Sequence, residues 1–338
     1  MFGNYIRSAV GIGPKTSLRG LCLLVILGIA NLLWLPVAYG AEFPNKTIQI
    51  VSPFPPGGKT DLTPRLLSKK LSTLLGQQII VANKAGGMGA AGIQYVAVGA
   101  PDGYTLLVAA PSIIISPLTL KNIPYSLKQF TPINLSVTMP ILVTVKSDVP
   151  WKTLPELIAE AKKNRGKLSY SSSGPSTLPH IAGELFKITT GTNITHIPMD
   201  GAARAITAVL GNHVNMTFSA YGGDLKSQLE AGTLRTLTVM SLNRLKDFPN
   251  IPTTGELGYP KLISTHWHAF LVRATTPPAI VKRLGDAFHE ALKDKEVIGL
   301  FDQAGLPIEN LNREETTKFL AEEEKRLAEV VKTAKIEQ

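Results

Sequence analysis

Ile48–Gln49–Ile50–Val51–Ser52–Pro53–Phe54–Pro55–Pro56–Gly57–Gly58–Lys59–Thr60–Asp61 is the stretch on which the fold turns. The apolar run before Pro53 reads as a buried strand. Leu62, Leu66, Leu67, Leu71, Leu74 and Leu75 then fall on one stripe at helical spacing, which predicts a helix over Leu62–Leu75. Two prolines and two glycines make the turn between them, and Thr60 and Asp61 are the expected N-caps. A strand, a tight glycine loop and a helix start together point free backbone N–H groups and a positive dipole end at an anion. The loop is therefore expected to form half of an anion pincer.

Two enzyme-like patterns in this region fail on chemistry. Gly58–Lys59–Thr60 imitates the end of a phosphate-binding loop, but the first glycine of that motif would fall on Pro53. Pro55 and Pro56 also lack the N–H groups that would cradle phosphates. Gly87–Met88–Gly89–Ala90–Ala91–Gly92 matches a dinucleotide fingerprint by spacing and follows the apolar run Ile79–Val81. The next strand, Tyr104–Ala110, ends in Ala109–Ala110–Pro111 without the carboxylate that a ribose needs. These glycines are expected instead to let the backbone turn closely into a helix. No cofactor is expected.

The chain has 338 residues, a formal net charge of +10 and 44% hydrophobic content, enough for two domains. Arg7, Lys15 and Arg19 precede an apolar run from Leu21 to Val37, with no acidic residue before Glu42. Ala38–Tyr39–Gly40 supplies small residues for cleavage before Ala41, so residues 1–40 read as a signal peptide of an exported, periplasmic protein. Leu21 before Cys22 does not suit a lipoprotein site. Cys22 is the only cysteine, so the mature chain has no disulfide, thiolate nucleophile or cysteine metal site. Loss of the leader removes three of 35 basic residues against 25 acids, leaving about +7. This excess is scattered, which excludes nucleic acid as a partner.

Strands and helices then alternate in units of about 30 residues, an α/β pattern. Pro132–Val145 is a long β-rich stretch with an expected break at Pro140, and Thr153 with Glu156 forms a capping box. The strand Leu168–Ser173 leads through Ser171–Ser172–Ser173–Gly174–Pro175–Ser176–Thr177 into a helix from about His180 to Thr189. This repeats the opening logic and supplies the second half of the pincer. Helix Ala202–Leu210, strands Val214–Ser219 and Leu234–Ser241, and Thr265–Val272 follow. A proline-initiated helix and a last helix capped by Asn312 and Glu315 complete the chain.

With these loops in view the chain resembles the Bug family, the extracytoplasmic solute receptors of tripartite tricarboxylate transporters. The likeness covers nearly all of the mature chain. It is carried by Pro53–Phe54–Pro55–Pro56–Gly57–Gly58 with Thr60–Asp61, Leu75–Gly76–Gln77, Gly86–Gly92 and Ala100–Pro101–Asp102–Gly103–Tyr104–Thr105–Leu106. Further carriers are Gly166–Lys167–Leu168 with Tyr170 and Ser172–Ser173–Gly174, then His180 with Ala182–Gly183–Glu184–Leu185–Phe186, and His196–Ile197–Pro198. The resemblance implies a two-domain Venus-flytrap fold with the ligand between the domains. Domain 1 would comprise residues 41–142 and 265–338, and domain 2 residues 143–264, hinged near 140–146 and 262–268. It implies a small organic carboxylate as ligand, membrane transporter subunits as partners, and a monomer. Carried over, Phe54, Gly58, Thr60, Asp61 and Ser112 line the first jaw, and Ser173, Ser176, Thr177 and His180 the second. Asp200, Ser219 and Trp267 complete the candidate ligand-binding set.

Several positions depart from the family pattern. Lys59 replaces a small residue and is expected either to add a cation or to point to solvent. Met199–Asp200–Gly201 loses a lysine, and Ser219 stands where the family often has aspartate, which disfavours an amino-acid ligand. His266–Trp267–His268 replaces a more apolar segment. His266 and His268 share one face of a strand, and a metal there would need His180, His196 or Asp200 as well. Hydrogen-bonded wall groups are the simpler reading, and no metal is expected. Trp267 faces the other way, to stack on a ligand or to pack. Ser173 or Ser176 with His180 and Asp200 could suggest a secreted serine hydrolase, but no nucleophile elbow exists. Asp61 and Asp200 as paired carboxylates give way to caps and turns. The expectation is a non-enzyme receptor, with a hydrolase or a ligand sensor as alternatives.

Overall fold

The computed structural model describes residues 43–336. The leader, its cleavage site at Gly40/Ala41 and Cys22 lie outside the described residues. Residues 43–45 belong to a separate N-terminal unit, and the fold below is that of the unit Lys46–Gln338.

The chain opens with β1 (Ile48–Ser52), α1 (Lys59–Leu75), β2 (Ile79–Asn83), α2 (Ala90–Ala97), β3 (Thr105–Ala109) and α3 (Ser112–Thr119). β4 (Phe130–Lys146), α4 (Leu154–Lys163), β5 (Ser169–Ser172), α5 (Leu178–Thr190), β6 (Thr195–Pro198) and α6 (Ala202–Leu210) follow. Then come β7 (Met216–Ala220), α7 (Gly223–Glu230), β8 (Leu234–Val239), β9 (Thr265–Arg273), α8 (Pro278–Ala291), α9 (Lys295–Gln303), β10 (Ile308–Leu311) and α10 (Arg313–Ala334). The strands form one path in the order β2-β1-β3-β9-β4-β7-β5-β6, with β8 and β10 also on β4. β1 is parallel to β2 and β3, and β5 is parallel to β6 and β7, so each lobe has the crossover topology of an α/β layer.

β4 is the joint. It runs for 17 residues without interruption. Phe130–Pro140 pairs with β9, and from Ile141 onward the same strand lies between β7 and β8. The expected break at Pro140 is thus a change of partners within one strand. Proline donates nothing, but its carbonyl accepts from Tyr221 N–H at 2.9 Å while Ile141 N–H goes to Ser264 O at 2.8 Å. The proposed boundary at 142/143 falls inside this strand.

Apolar faces close the two lobes over more than one buried cluster. Leu67, Leu71 and Leu75 of α1 are buried as their spacing demands, and Tyr170, Phe186 and Phe218 fill the second lobe. A fully buried leucine of this kind contributes roughly 1.5–3 kcal/mol. Leu320, Leu327, Val330 and Val331 of α10 join the cluster that holds Tyr170, Phe186 and Phe218.

α1 starts earlier than its leucine stripe suggested. Gly58 is the N-cap, so Thr60 and Asp61 are first-turn residues and not caps. The capping boxes at Thr153/Glu156 and Asn312/Glu315 are both present. Four elements were not read from the sequence: α3, α7, α9 and β10. The α3 sequence Ser-Ile-Ile-Ile-Ser-Pro-Leu-Thr carries a β-branched run and an internal proline, both anti-helical locally. α7 buries only Leu225, and β10 has four residues. α9 did carry a signal, since Asp294 caps it through Glu296 and Val297 N–H.

Candidate functional site

Which helices lack caps is informative. α4, α9 and α10 each begin with a side chain accepting from first-turn N–H groups. α1, α2, α3, α5, α6, α7 and α8 have no such bond from the residue at the cap; the first six follow strands of the two parallel layers, and α8 follows β9, which runs antiparallel to β3 and β4. The strand ends preceding α1 and α3 are neighbours in one lobe, and those preceding α5 and α7 in the other. The C-terminal edge of a parallel sheet is where such folds bind ligands, and uncapped N-termini there favour an anion.

The first loop is held by Asp61. Its carboxylate, 2% exposed, takes a bidentate pair from Arg65 (2.8 and 2.9 Å), Asn83 Nδ2 at 2.7 Å and Gly57 N–H at 3.0 Å. Burial alone would raise its pKa. The bonds from Arg65, Gly57 and Asn83 outweigh that and hold it below the usual carboxylate value. With its acceptor sites filled, Asp61 builds the loop and does not face a ligand. Asn83 also binds Phe54 O at 3.0 Å, fixing the half-buried Phe54, whose ring would touch a Cβ placed on Gly89 at 3.2 Å.

Thr60 is likewise committed. Thr63 Oγ1 donates to Lys59 O, so in its 2.8 Å contact with His268 the imidazole Nδ1–H must donate. His268 Nε2 is then the acceptor, and Thr60 Oγ1 spends its proton there at 3.2 Å. The sequence nominated Thr60 as a donor, but its hydroxyl can only accept. Ser112 Oγ, at the start of α3, is shut off from solvent with no hydrogen-bond partner among the described residues.

In the second loop Ser173 Oγ donates to Thr177 Oγ1 (3.3 Å), and Thr177 Oγ1 donates to Gly174 O (2.7 Å). Ser176 has φ +53°, and its N–H donates to His180 Nδ1 at 3.1 Å. His180 stacks on His196 at 4.1 Å, and His196 on Tyr170 at 4.8 Å. The sequence brought Ser173, Ser176, Thr177 and His180 to one loop, and the structure does the same. His196 and Tyr170, which shape that loop from beneath, were not nominated.

Three nominees take other roles or places. Trp267 is fully buried, edge-on to Phe319 with its N–H toward Glu323 at 3.4 Å, so it packs the core and offers no stacking face. Asp200 has a side chain 90% exposed and pairs with Arg204 at 3.5 Å. Ser219 is buried in β7 opposite Leu142.

Lys59 crosses between the lobes. Its ammonium meets Ala220 O (3.1 Å), Tyr221 O (3.4 Å) and Asp224 (3.1 Å), so it neither points to solvent nor stands free as a cation. This contact also sets the N-terminus of α1 against the C-terminal end of β7, one strand from the second loop. Gly305, after α9, makes a second bridge, since a Cβ there would lie 2.7 Å from Gly223 N.

The profile of the tripartite tricarboxylate transporter family receptor matches residues 64–336. The chain belongs to that family. Protein BugT of Bordetella pertussis is 32% identical over 293 residues, covering 86% of this receptor and 90% of BugT. A solved periplasmic transporter superposes with a TM-score of 0.77 at 35% identity, over 87% of this chain and 99% of that one. Rpa4515 of R. palustris, solved with adipate, gives 0.77 at 28% identity (87% and 98% covered). MatC of Rhodopseudomonas palustris, with bound malate, gives 0.74 at 25% identity (86% and 100% covered). The receptor thus has the two-domain α/β solute-binding fold that its glycine loops suggested.

The receptor contains a serine–histidine pair, but not one the sequence suggested. Ser172 Oγ lies 2.7 Å from His196 Nε2, is buried, accepts from Gly174 N–H at 3.2 Å and lies 3.0 Å from Gly174 O, so it is bound inside the turn of the second loop. His180 accepts a backbone N–H, and neither Ser173 nor Ser176 bonds to it through its hydroxyl. Among the described residues no cluster of three or more metal-ligating side chains occurs, and no helix is long and apolar enough to cross a membrane.

The glycine stretch of the receptor turns closely, as its residues suggested. Gly86, Gly87 and Gly89 have φ of +148°, +53° and +96°. A Cβ on Gly92 would sit 2.7 Å from Pro53 Cα and 2.8 Å from Lys84 O, both backbone. Gly92→Ala is therefore expected to push the first loop off α2 and cost about 1–3 kcal/mol, read as a lower thermal midpoint. An unchanged midpoint would show that the loop is not seated there.

Proposed function

We propose that this receptor captures a small carboxylate in the cleft between its lobes and presents it to the membrane subunits of a tripartite transporter. The observation that carries the reading is the distribution of helix caps. α1 and α5, which follow the two glycine loops, and α3 beside them begin without a side-chain cap, as does α8 after antiparallel β9, while α4, α9 and α10 are capped by side chains. Arg65, the cation beside the first loop, is taken up by Asp61, so recognition falls to N–H groups and hydroxyls. The adipate- and malate-bound neighbours support a carboxylate as the ligand class. The protein acts in the periplasm as a monomer after cleavage at Gly40/Ala41, and performs no chemistry on what it binds. Its lobes comprise residues 41–142 with 265–338, and 143–264. They move about the β4 crossover and the segment entering β9.

A thermal-shift screen of the chain from Ala41 onward against mono-, di- and hydroxy-carboxylates and amino acids tests this. A ligand at one hundred times its Kd adds about 2.7 kcal/mol to the folded state. At this chain length that corresponds to a rise of about 4 °C. A saturable rise with a carboxylate is expected. No rise with any carboxylate, on protein refolded to strip retained ligand, would defeat the proposal.

A further inference from the structure

At the first jaw the side chains that the sequence offered as donors are spent elsewhere. Thr60 gives its proton to His268, Asp61 is filled by Arg65, Asn83 and Gly57, and Lys59 is engaged across the cleft. Two side chains remain, Ser112, whose hydroxyl has no partner among the described residues, and His266. His266 is opposite Met139, two residues along β4 from Ile141, which is opposite Ala220, the residue whose carbonyl Lys59 holds. It shares a strand face with His268, the two rings meeting edge-on at 5.3 Å, so it lies on the side where α1 begins. Its ring is partly exposed, and it makes no hydrogen bond among the described residues.

We propose that His266 is a ligand-contacting, specificity-determining residue of the first jaw, taking the second carboxylate of a dicarboxylate whose first is held at the second loop. The inference rests on the carboxylate-receptor reading above. The field around His266 suits a second anion. The Lys59 ammonium acts on it from α1 and neutral His268 adjoins it on β9, while the Asp224 carboxylate pairs with Lys59 at 3.1 Å. α3 and residues 137–141 of β4 carry no ionisable group. Burial, then Lys59, push the free imidazole down to about 3, so it is neutral before binding. A carboxylate placed against it offsets the Lys59 charge and favours the protonated ring. Dicarboxylate capture therefore takes up as much as one proton, whereas a hydroxyl in the same place takes up none.

The test uses the mature receptor, four- to eight-carbon dicarboxylates and monocarboxylates of matched length, titrated calorimetrically at pH 6 in buffers of differing ionisation heat. The expected result is a dicarboxylate preference of tenfold or more with proton uptake. In His266→Leu both are lost while monocarboxylate affinity holds, and His266→Asn restores part of the affinity without the proton. Carbethoxylation of the unmutated protein, read at His266 by mass spectrometry, is expected to slow at least fivefold with saturating dicarboxylate. Dicarboxylate binding with no change in His266→Leu and no protection of His266 overturns this inference and leaves the receptor reading standing. Binding of monocarboxylates alone does the same. Binding of no carboxylate overturns both.

Discussion

Asp61→Ala is expected to destabilise the receptor by about 1–3 kcal/mol, the cost of losing the hydrogen bonds that a buried carboxylate collects from partners that themselves reach water. Four hydrogen bonds converge on this carboxylate, from Arg65 twice, from Asn83 and from Gly57 N–H. Two of those donors tie distant segments to the loop. Asn83 ends β2 and also holds Phe54, and Gly57 is a turn residue with φ +89°. Removing the carboxylate frees the loop from β2 and from its own helix, so capture should fall together with stability. Chemical denaturation with ligand titration at low temperature separates the two. Asp61→Asn is expected to lose less, since its one amide oxygen can still accept from either Gly57 or Asn83, which bond different oxygens of the carboxylate. An Asp61→Ala protein as stable as the parent would show that Arg65 and Asn83 find water as readily.

Acid should unfold the receptor early. Four histidines have pKa values below the ordinary 6.5. Burial, then the charge of His180, sets His196 to about 4, and burial, then Lys59, sets His266 to about 3. Burial lowers His180 as well, and burial with His266 and Lys59 lowers His268 further. In each case the unfolded chain binds the proton more readily. The stability these groups contribute is thus complete above pH 6.5 and is lost as pH falls toward 3–4. His196 and His266 each cost about 1.4 kcal/mol per pH unit within their windows, about 3 kcal/mol per unit together between pH 6.5 and pH 4, and His180 and His268 act in the same direction. Against a typical total of roughly 5–15 kcal/mol, an acid midpoint near pH 4–5 is expected. Tryptophan fluorescence, with Trp267 buried as a reporter, follows it. A flat profile from pH 7 to pH 5 would contradict the buried neutral histidines.

The fold was legible wherever local pattern and tertiary outcome agree. Apolar runs gave β1 and β3, the leucine stripe gave α1, and the boxes at Thr153 and Asn312 gave helix starts. Both glycine loops could be placed for a related reason, since Gly57 and Gly174 take φ > 0, although Ser176 in the second loop takes φ +53° without being glycine. The destination of a proton or a charge was not legible. The Thr60–His268 bond joins residues 208 apart and the Lys59–Ala220 bond residues 161 apart, so nothing near Thr60 tells that its hydroxyl is spoken for. Trp267 read equally well as wall or core, and only Glu323 and Phe319 of α10 decide it. α3 was hidden because isoleucine repeated in a row looks like a strand until a helix packs over it.

One consequence concerns dissection. Many two-lobed proteins can be cut in the connecting loops into halves that fold alone. Here the crossover is a strand, with Leu142 flanked by Ser219 on one side and Val239 on the other while Phe130–Pro140 completes the opposite sheet. Cleaving at 142/143 would keep Phe130–Pro140 on β9 but cut the strand between β7 and β8 down to Val143–Lys146, leaving Ile141 and Leu142 as an unpaired end on one half and a gap between β7 and β8 on the other. Neither half is then a portable module. The intact receptor should melt in a single calorimetric transition, and the two fragments, expressed separately, should gain structure only when mixed.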